Sequence, residues 1–503
     1  MPGKFIKNDR KRALAENARF NSMADRRADG AGSAHLNPGR RSDNAAVSRI
    51  AALICGARSR CDSSESSIHR LVRPRWLFSL GLLFWLCPKP AAHAQQALLS
   101  ALSLDSIVQA QSPTNPIVAL PAGQPRIGPV GISLGAYSGV GLDDNINLTH
   151  TNSESDVIVG TGVNLGAAWQ GTGKSILQFS SQLGYNFYLQ HPGHDYLVIS
   201  PGSALTWGLG LGDWEIILFD QFNYSRNVIA DPSVSNTSDI PIVDNNIGAR
   251  AQWKPKHWLV DLGYSYDNYF STSSQYNYLN NASHELFARG AWRFSNHAQL
   301  GLETSVSFTR FSYSAQQDNT SYSVGPYLVW PLDPFVNISF HGGPTFYDFT
   351  QSPQSGPNQS SQSGLNSYYV NFDVTHQMTR FITEELSVNR SVSLGYSSGA
   401  QYTEQLNVGY FVSWYPKPWL NLHLGLNYQN GQQPFEIPLI PGLPYYTTTT
   451  ENFSRYGFNP GVYYQVTKSI GASLSYTHWT RLSNIDANKY SDDSVGLQVQ
   501  YTF

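Results

Sequence analysis

The chain has 503 residues, 33 Lys and Arg against 35 Asp and Glu, and a formal net charge of −2. Only 14% of residues are charged and 13% are aromatic. This balance excludes the basic footprint of a nucleic-acid binder. The three cysteines, Cys55, Cys61 and Cys87, all lie in the first fifth of the chain, which leaves the rest without a disulfide framework or a thiolate metal or redox site.

Residues 1–70 are polar, Arg- and Ser-rich and unpatterned. They read as a disordered leader produced by a start assigned too far upstream, with Val72 as a position that an alternative start codon would serve. Residues 71–94 read as a secretory signal peptide. Arg70, Arg73 and Arg75 precede the uncharged apolar run Trp76–Leu86, and Ala92-His93-Ala94 gives a small-x-small site with cleavage before Gln95. The run is too short to cross a bilayer as a helix, which takes about 20 residues. Leu86 stands before Cys87 where a lipoprotein signal wants Gly or Ala, so no lipid anchor is expected. Residues 95–127 form a periplasmic linker. Leu98, Leu99, Leu102, Leu104, Ile107 and Val108 suit a short helix, and Pro113, Pro116, Pro121 and Pro125 interrupt the chain beyond it.

From 128 to 503 the chain alternates. In the third predicted strand Leu177, Phe179, Leu183, Tyr185, Phe187 and Leu189 take one face, while Gln178, Ser180, Gln182, Gly184 and Asn186 take the other. The fifteenth sets Leu420, Leu422, Leu424 and Leu426 against Asn421, His423, Gly425 and Asn427. The seventeenth sets Ile470, Ala472, Leu474 and Tyr476 against Gly471, Ser473, Ser475 and Thr477. Such runs suit the roughly 9–11 residues that carry a tilted strand through a bilayer.

Tight turns fall at 171–174, 212–213, 254–257, 295–297, 332–334, 379–380, 416–418 and 467–469. Large aromatics flank them: Trp169, Trp207, Trp214, Trp253, Trp258, Trp292, Trp330, Phe335, Phe381, Trp414, Trp419 and Tyr464. Rings of this kind favour the membrane–water interface. Longer polar connections fall between them, at 142–155, 190–195, 227–241, 271–281, 313–319, 350–365, 398–402, 430–450 and 484–490. Short turns on one side and longer loops on the other predict an all-β fold: a transmembrane up-and-down antiparallel barrel of about 18 strands, within two, in the cell outer membrane. The weakest strand patterns are 242–254 and 452–466.

The chain ends on an alternating strand, with Val495, Leu497, Val499, Tyr501 and Phe503 on the apolar face. An aromatic last residue on such a strand is similar to the C-terminal signal read by the barrel-assembly machinery. At the other end, Gly131 to Asn145 reads G-I-S-L-G-A-Y-S-G-V-G-L-D-D-N and is followed by Asp156. A first strand of this form resembles the β-barrel porin 2 family, over roughly 128–503. That group includes proteins encoded with exopolysaccharide-export systems. The resemblance implies an outer-membrane barrel in contact with lipid, and it leaves two roles open: passive diffusion of small hydrophilic solutes or saccharides, or a non-conducting structural or docking part of an export machine.

No catalytic motif stands out, no cofactor is implied, and the chain reads as a non-enzyme. His191-Pro-Gly-His194-Asp195 reads as a solvated loop. Asp143, Asp144, Asn145 and Asp156 offer oxygen ligands that suit calcium, but without the spacing of a calcium loop, so they read as a turn and no metal is assigned. By strand parity Asp261, Asp267, Glu285, Arg289, Arg293, Glu303 and Asp373 face the lumen. Mixed signs there either tune permeation or pair across strands and stiffen the wall.

Overall fold

The computed structural model describes residues 125–171, 174–226, 229, 231–295, 298–313, 315–350, 364–396, 400–438 and 446–503. The leader, the signal peptide and all but the last three residues of the linker lie outside the described residues. Arg126–Ile127 pair with Val130 and Gly131.

Among the described residues eighteen strands follow one another: β1 (Val130–Asp143), β2 (Asp156–Gln170), β3 (Ser175–Tyr188), β4 in two pieces (Tyr196–Ile199 and Ala204–Leu211), β5 (Trp214–Ser225), β6 (Ile242–Trp253), β7 (Trp258–Ser271), β8 (Asn281–Arg293), β9 (Gln299–Phe311), β10 (Asn319–Asp333), β11 (Val336–Phe349), β12 (Gly364–Thr379), β13 (Ile382–Ser393), β14 (Thr403–Lys417), β15 (Leu420–Pro438), β16 (Tyr446–Gln465), β17 (Ile470–Ser483) and β18 (Tyr490–Thr502). Each pairs antiparallel with the next, and β18 closes on β1 through a ladder from Gly135↔Thr502 to Asp143↔Ser494. Closure removes both sheet edges, which answers the hazard of an exposed terminal strand.

The wall is inverted relative to a water-soluble sheet. Leu134, Val140 and Leu142 on β1, Leu262 and Tyr264 on β7, Leu300 and Leu302 on β9, and Leu474 and Leu482 on β17 are all exposed on the outer face. Their alternate neighbours are glycines or polar residues, buried or half-buried. All twelve turn-flanking aromatics named above are exposed as well. Some meet in pairs across a turn or ladder: Trp214 stacks on Trp253 at 6.2 Å and Trp419 meets Tyr464 edge-on at 5.3 Å. An even-numbered closed barrel with an outward apolar belt and an aromatic ring at its short-turn rim is an outer-membrane barrel. No helix among the described residues is long and apolar enough to cross a membrane.

The two weakest predicted strands, 242–254 and 452–466, form as Ile242–Trp253 and Tyr446–Gln465. One stretch departs from the sequence reading. The segment 430–450 is largely not a loop, because β15 and β16 run to 19 and 20 residues and pair as far as Pro438↔Tyr446. Asn, Gln, Thr and Pro dilute the apolar alternation there. The ladder is made by the backbone, however, and above the bilayer neither face needs to be greasy.

Candidate functional site: the barrel interior

The inner face carries two constructions, a charge ladder on one wall and a loop drawn across the lumen. The ladder runs along β6 to β12. Arg250 on β6 donates from Nε to Asp261 Oδ1 on β7 at 2.8 Å, and its Nη2 contacts the other carboxylate oxygen. Gln252 adds a third donor to Asp261 at 3.1 Å. Arg289 on β8 stands between two acids, 3.6 Å from Asp261 and 3.4 Å from Glu303 on β9. Glu303 also meets His341 Nδ1 at 2.9 Å and accepts the Tyr369 hydroxyl at 2.9 Å. The Arg289 guanidinium lies 4.4 Å from the centre of the Tyr327 ring. All these charged side chains are buried. Signs alternate along the row, so the ladder neutralises itself.

Asp261, Arg289 and Glu303 are thus brought together from the candidates named by parity. The remaining candidates have other contacts. Glu285 accepts Ser265 Oγ at 3.3 Å, and Asp267 lies diagonally across from both Glu285 and Asp244. This leaves an acidic patch on the loop side of the ladder. Asp373 accepts Ser339 Oγ at 3.2 Å. Arg293 is half-buried at the turn end of β8. The terminal residues Val495, Leu497, Val499, Tyr501 and Phe503 are exposed on the outer face, and the Phe503 N–H reaches back to Leu134 O at 3.0 Å.

The loop between β5 and β6 does not stay beside its own strands. Its neck is closed by an ion pair between Arg226 and Asp239. Beyond the neck it crosses to β15–β17, six to nine strands away round the wall. Arg455 Nη1 donates to Ile229 O at 2.6 Å. Arg481 Nε donates to Pro232 O at 2.9 Å, and Gln433 Nε2 to Ser233 O at 3.3 Å. Two charged donors and one amide therefore hold backbone carbonyls of the strap. Both arginines are buried and anchored from behind. Arg481 pairs with Glu451 at 2.9 Å, and Glu451 takes a further bond from Gln433 at 2.9 Å. Arg455 bonds Gln429 at 2.6 Å and lies 4.1 Å over the Trp479 ring. That ring lies flat because position 457 is Gly; a Cβ there would collide with it.

An apolar cluster backs the strap: Val234 and Ile240 from the loop, Leu148 from the first loop, Leu279 from the fourth, and Ile242 and Tyr490 from strand starts. Leu148 takes a left-handed φ of 50°, unusual for a side chain of this type, and is held there by near-complete burial and by Asn236 N–H donating to its carbonyl at 3.0 Å. Burial raises the Asp231 carboxyl above its ordinary range despite its bonds to Ser233 and the nearby Arg455 and Arg481.

Parity could place Arg250, Arg455 and Arg481 inside, yet the strap itself read only as an external polar loop. Its one hint was Val234, Ile240 and Ile242, too apolar for a segment in water. The histidines of 191–195 do not converge on one point: His191 bonds Asp156 at 2.8 Å, while His194 turns to Ser238 and Asp239.

No family model and no curated protein matches the chain, so the likeness of Gly131–Asn145 to the porin 2 group remains a resemblance. Solved structures do match. Pseudomonas aeruginosa OpdQ aligns at 11% identity and a TM-score of 0.40, covering 75% of this chain and 98% of that one. Acinetobacter baumannii OccAB3 aligns at 13% and 0.41, covering 75% and 100%, and Pseudomonas aeruginosa OccK2 (OpdF) at 12% and 0.42, covering 76% and 99%. Likeness at this level assigns no solute and no mechanism, and the interior described above is the ground for both.

Proposed function

We propose that the protein is an outer-membrane porin, a passive path for small hydrophilic solutes or saccharides whose throat is set by the strap between β5 and β6. The observation that carries this reading is the strap's anchorage. A wall that only has to hold together has no use for a loop drawn across its interior and fixed to two buried arginines. A permeation path does, because cross-section and lining then depend on a single adjustable segment.

The chemistry of the lining supports neutral, polar solutes. The ladder from Arg250 to His341 cancels its own charge, so it offers hydrogen-bonding groups without a strong field of either sign. The patch at Asp244, Asp267 and Glu285 adds a modest acidic excess, which favours cations over anions slightly. Insertion requires outer-membrane lipid and the barrel-assembly machinery, for which the aromatic C-terminus is the recognition element.

Single-channel recording in planar bilayers tests the reading. Wild type is expected to give discrete steps with weak cation preference, and a variant lacking 229–240 larger steps. If both insert stably and neither conducts, the porin reading is wrong.

A further inference from the structure

Three carboxylates converge where the last strand closes on the first. Asp143 ends β1, Asp144 comes directly after it, and Asp492 lies near the start of β18; one ligand oxygen from each lies within 4.8 Å of the others. They come from opposite ends of the barrel sequence and meet only through closure, since Asp143 forms the last rung of the seam, opposite Ser494.

Acidic side chains at a rim are common without a ligand. Asp492 is different. It is 0% exposed, and no N–H or hydroxyl group donates to either of its carboxylate oxygens; the group facing it is the Asp143 carboxyl, which can bond it only by holding a proton. Its two companions are half satisfied: Asp143 Oδ1 accepts the N–H of Asn145 at 3.0 Å, and Asp144 Oδ1 accepts the N–H of Asp493 at 2.7 Å. Each keeps one oxygen for something else. The charges acting on Asp492 are those of Asp143, Asp144 and Asp493, all of its own sign. An ionised carboxylate buried among like charges is strongly disfavoured unless a cation joins it.

The neighbouring oxygen groups are already engaged. Asn145 spends its amide on Thr149 O at 2.9 Å and Ser491 O at 2.7 Å. Asp156 accepts the N–H groups of Val157, Gln190 and His191 and the His191 ring. Neither is left to turn toward the cluster, so the set is Asp143, Asp144 and Asp492.

We propose that Asp143, Asp144 and Asp492 bind a hard divalent cation, Ca²⁺, that staples β1 to β18. Oxygen-only ligands select hard cations. Ca²⁺ fits better than Mg²⁺ because its coordination tolerates irregular carboxylates drawn from two strands and a turn, with water completing the shell, whereas Mg²⁺ demands a near-ideal octahedron. The site lies at the long-loop rim of the barrel, within reach of external Ca²⁺.

The test uses the folded protein in detergent, stripped with EDTA and titrated with CaCl₂ or MgCl₂ while thermal unfolding and ion stoichiometry are followed. Wild type is expected to bind one Ca²⁺ per chain more than Asp492→Asn, and to melt higher with Ca²⁺ than without. Asp492→Asn should lose that response, and Asp144→Asn, at an exposed position that does not threaten folding, should weaken Ca²⁺ affinity by about tenfold or more. An unchanged wild-type melting temperature on adding Ca²⁺ would overturn the proposal. So would equal shifts in wild type and both variants, the mark of ions held by bound lipopolysaccharide. A stripped Asp492→Asn that melts above Ca²⁺-loaded wild type would point instead to two carboxyls sharing a proton, and a wild-type response to Mg²⁺ equal to that to Ca²⁺ would remove the calcium assignment.

Discussion

Arg289 separates two pictures of the interior. As a solvated charge on a water-filled wall, its loss would cost little, because exposed ion pairs contribute about 0–1 kcal/mol. The structure gives it a different setting: buried, with carboxylates at 3.6 and 3.4 Å and an aromatic ring at 4.4 Å. Breaking a buried pair by removing one partner costs about 3–5 kcal/mol, since a charge is left uncompensated. Here each acid keeps other partners, Arg250 and Gln252 for Asp261, His341 and Tyr369 for Glu303. Arg289→Ala is therefore placed at the lower end, about 3 kcal/mol. Arg289→Glu sets a third carboxylate between two others and should exceed about 5 kcal/mol or prevent folding. The double variant Arg289→Met, Glu303→Gln removes both charges and should recover most of the loss. Urea unfolding in lipid vesicles, monitored by tryptophan fluorescence and by heat-modifiable gel mobility, measures all three. A cost for Arg289→Ala below about 1 kcal/mol would refute the buried ladder and restore the solvated charge.

The strap and the outer face supply three more expected outcomes. Truncating Arg481 to Ala removes a charged donor to the strap worth about 1.5–3 kcal/mol, so the strap's released population should rise roughly tenfold or more, read as larger or more frequent conductance steps; unchanged steps would show that the strap does not set the throat. Burial lifts the Asp231 carboxyl, so the docked strap takes up a proton more readily than the released one. Docking is then favoured at acid pH and weakens as pH rises through the docked-state value; conductance should climb from acid toward neutral pH, and Asp231→Asn should flatten the profile. On the outer face, Leu424→Arg should destabilise the barrel by about 2–4 kcal/mol and Asn427→Arg far less, and equal costs on folding into vesicles would mean the faces of β15 are reversed.

Period-two alternation and aromatic turns made the barrel legible, because both arise from the lipid that each strand must meet. Leu420 to Leu426 have no other reason to recur at every second place. Parity also placed Asp261, Arg289 and Glu303 on one face. It could not tell that they touch, since register across β7, β8 and β9 is fixed by turn geometry, not by any one strand. The strap was hidden for a related reason. Val234 and Ile240 hint that the loop seeks cover, but nothing local in 226–241 says where it docks; that depends on Arg455 and Arg481, more than two hundred residues away. Asp492 was passed over at the seam because closure is the longest-range contact in the chain, and its nearness to Asp143 exists only once the ring is complete.

Among the described residues β15 and β16 are the longest strands. Beyond Gln432 on one arm and Asn452 on the other, the two strands pair only with each other. Six rungs, from Gln433↔Glu451 to Pro438↔Tyr446, rise above the wall, roughly 20 Å of ribbon at about 3.4 Å per residue. An antibody, a phage fibre or a neighbouring cell's sugars would find this flap standing clear of the wall. Its base is Gln433 and Glu451, the pair that braces Arg481 and holds the Ser233 carbonyl. This ribbon above the wall is thus hinged directly on the side chains that anchor the strap.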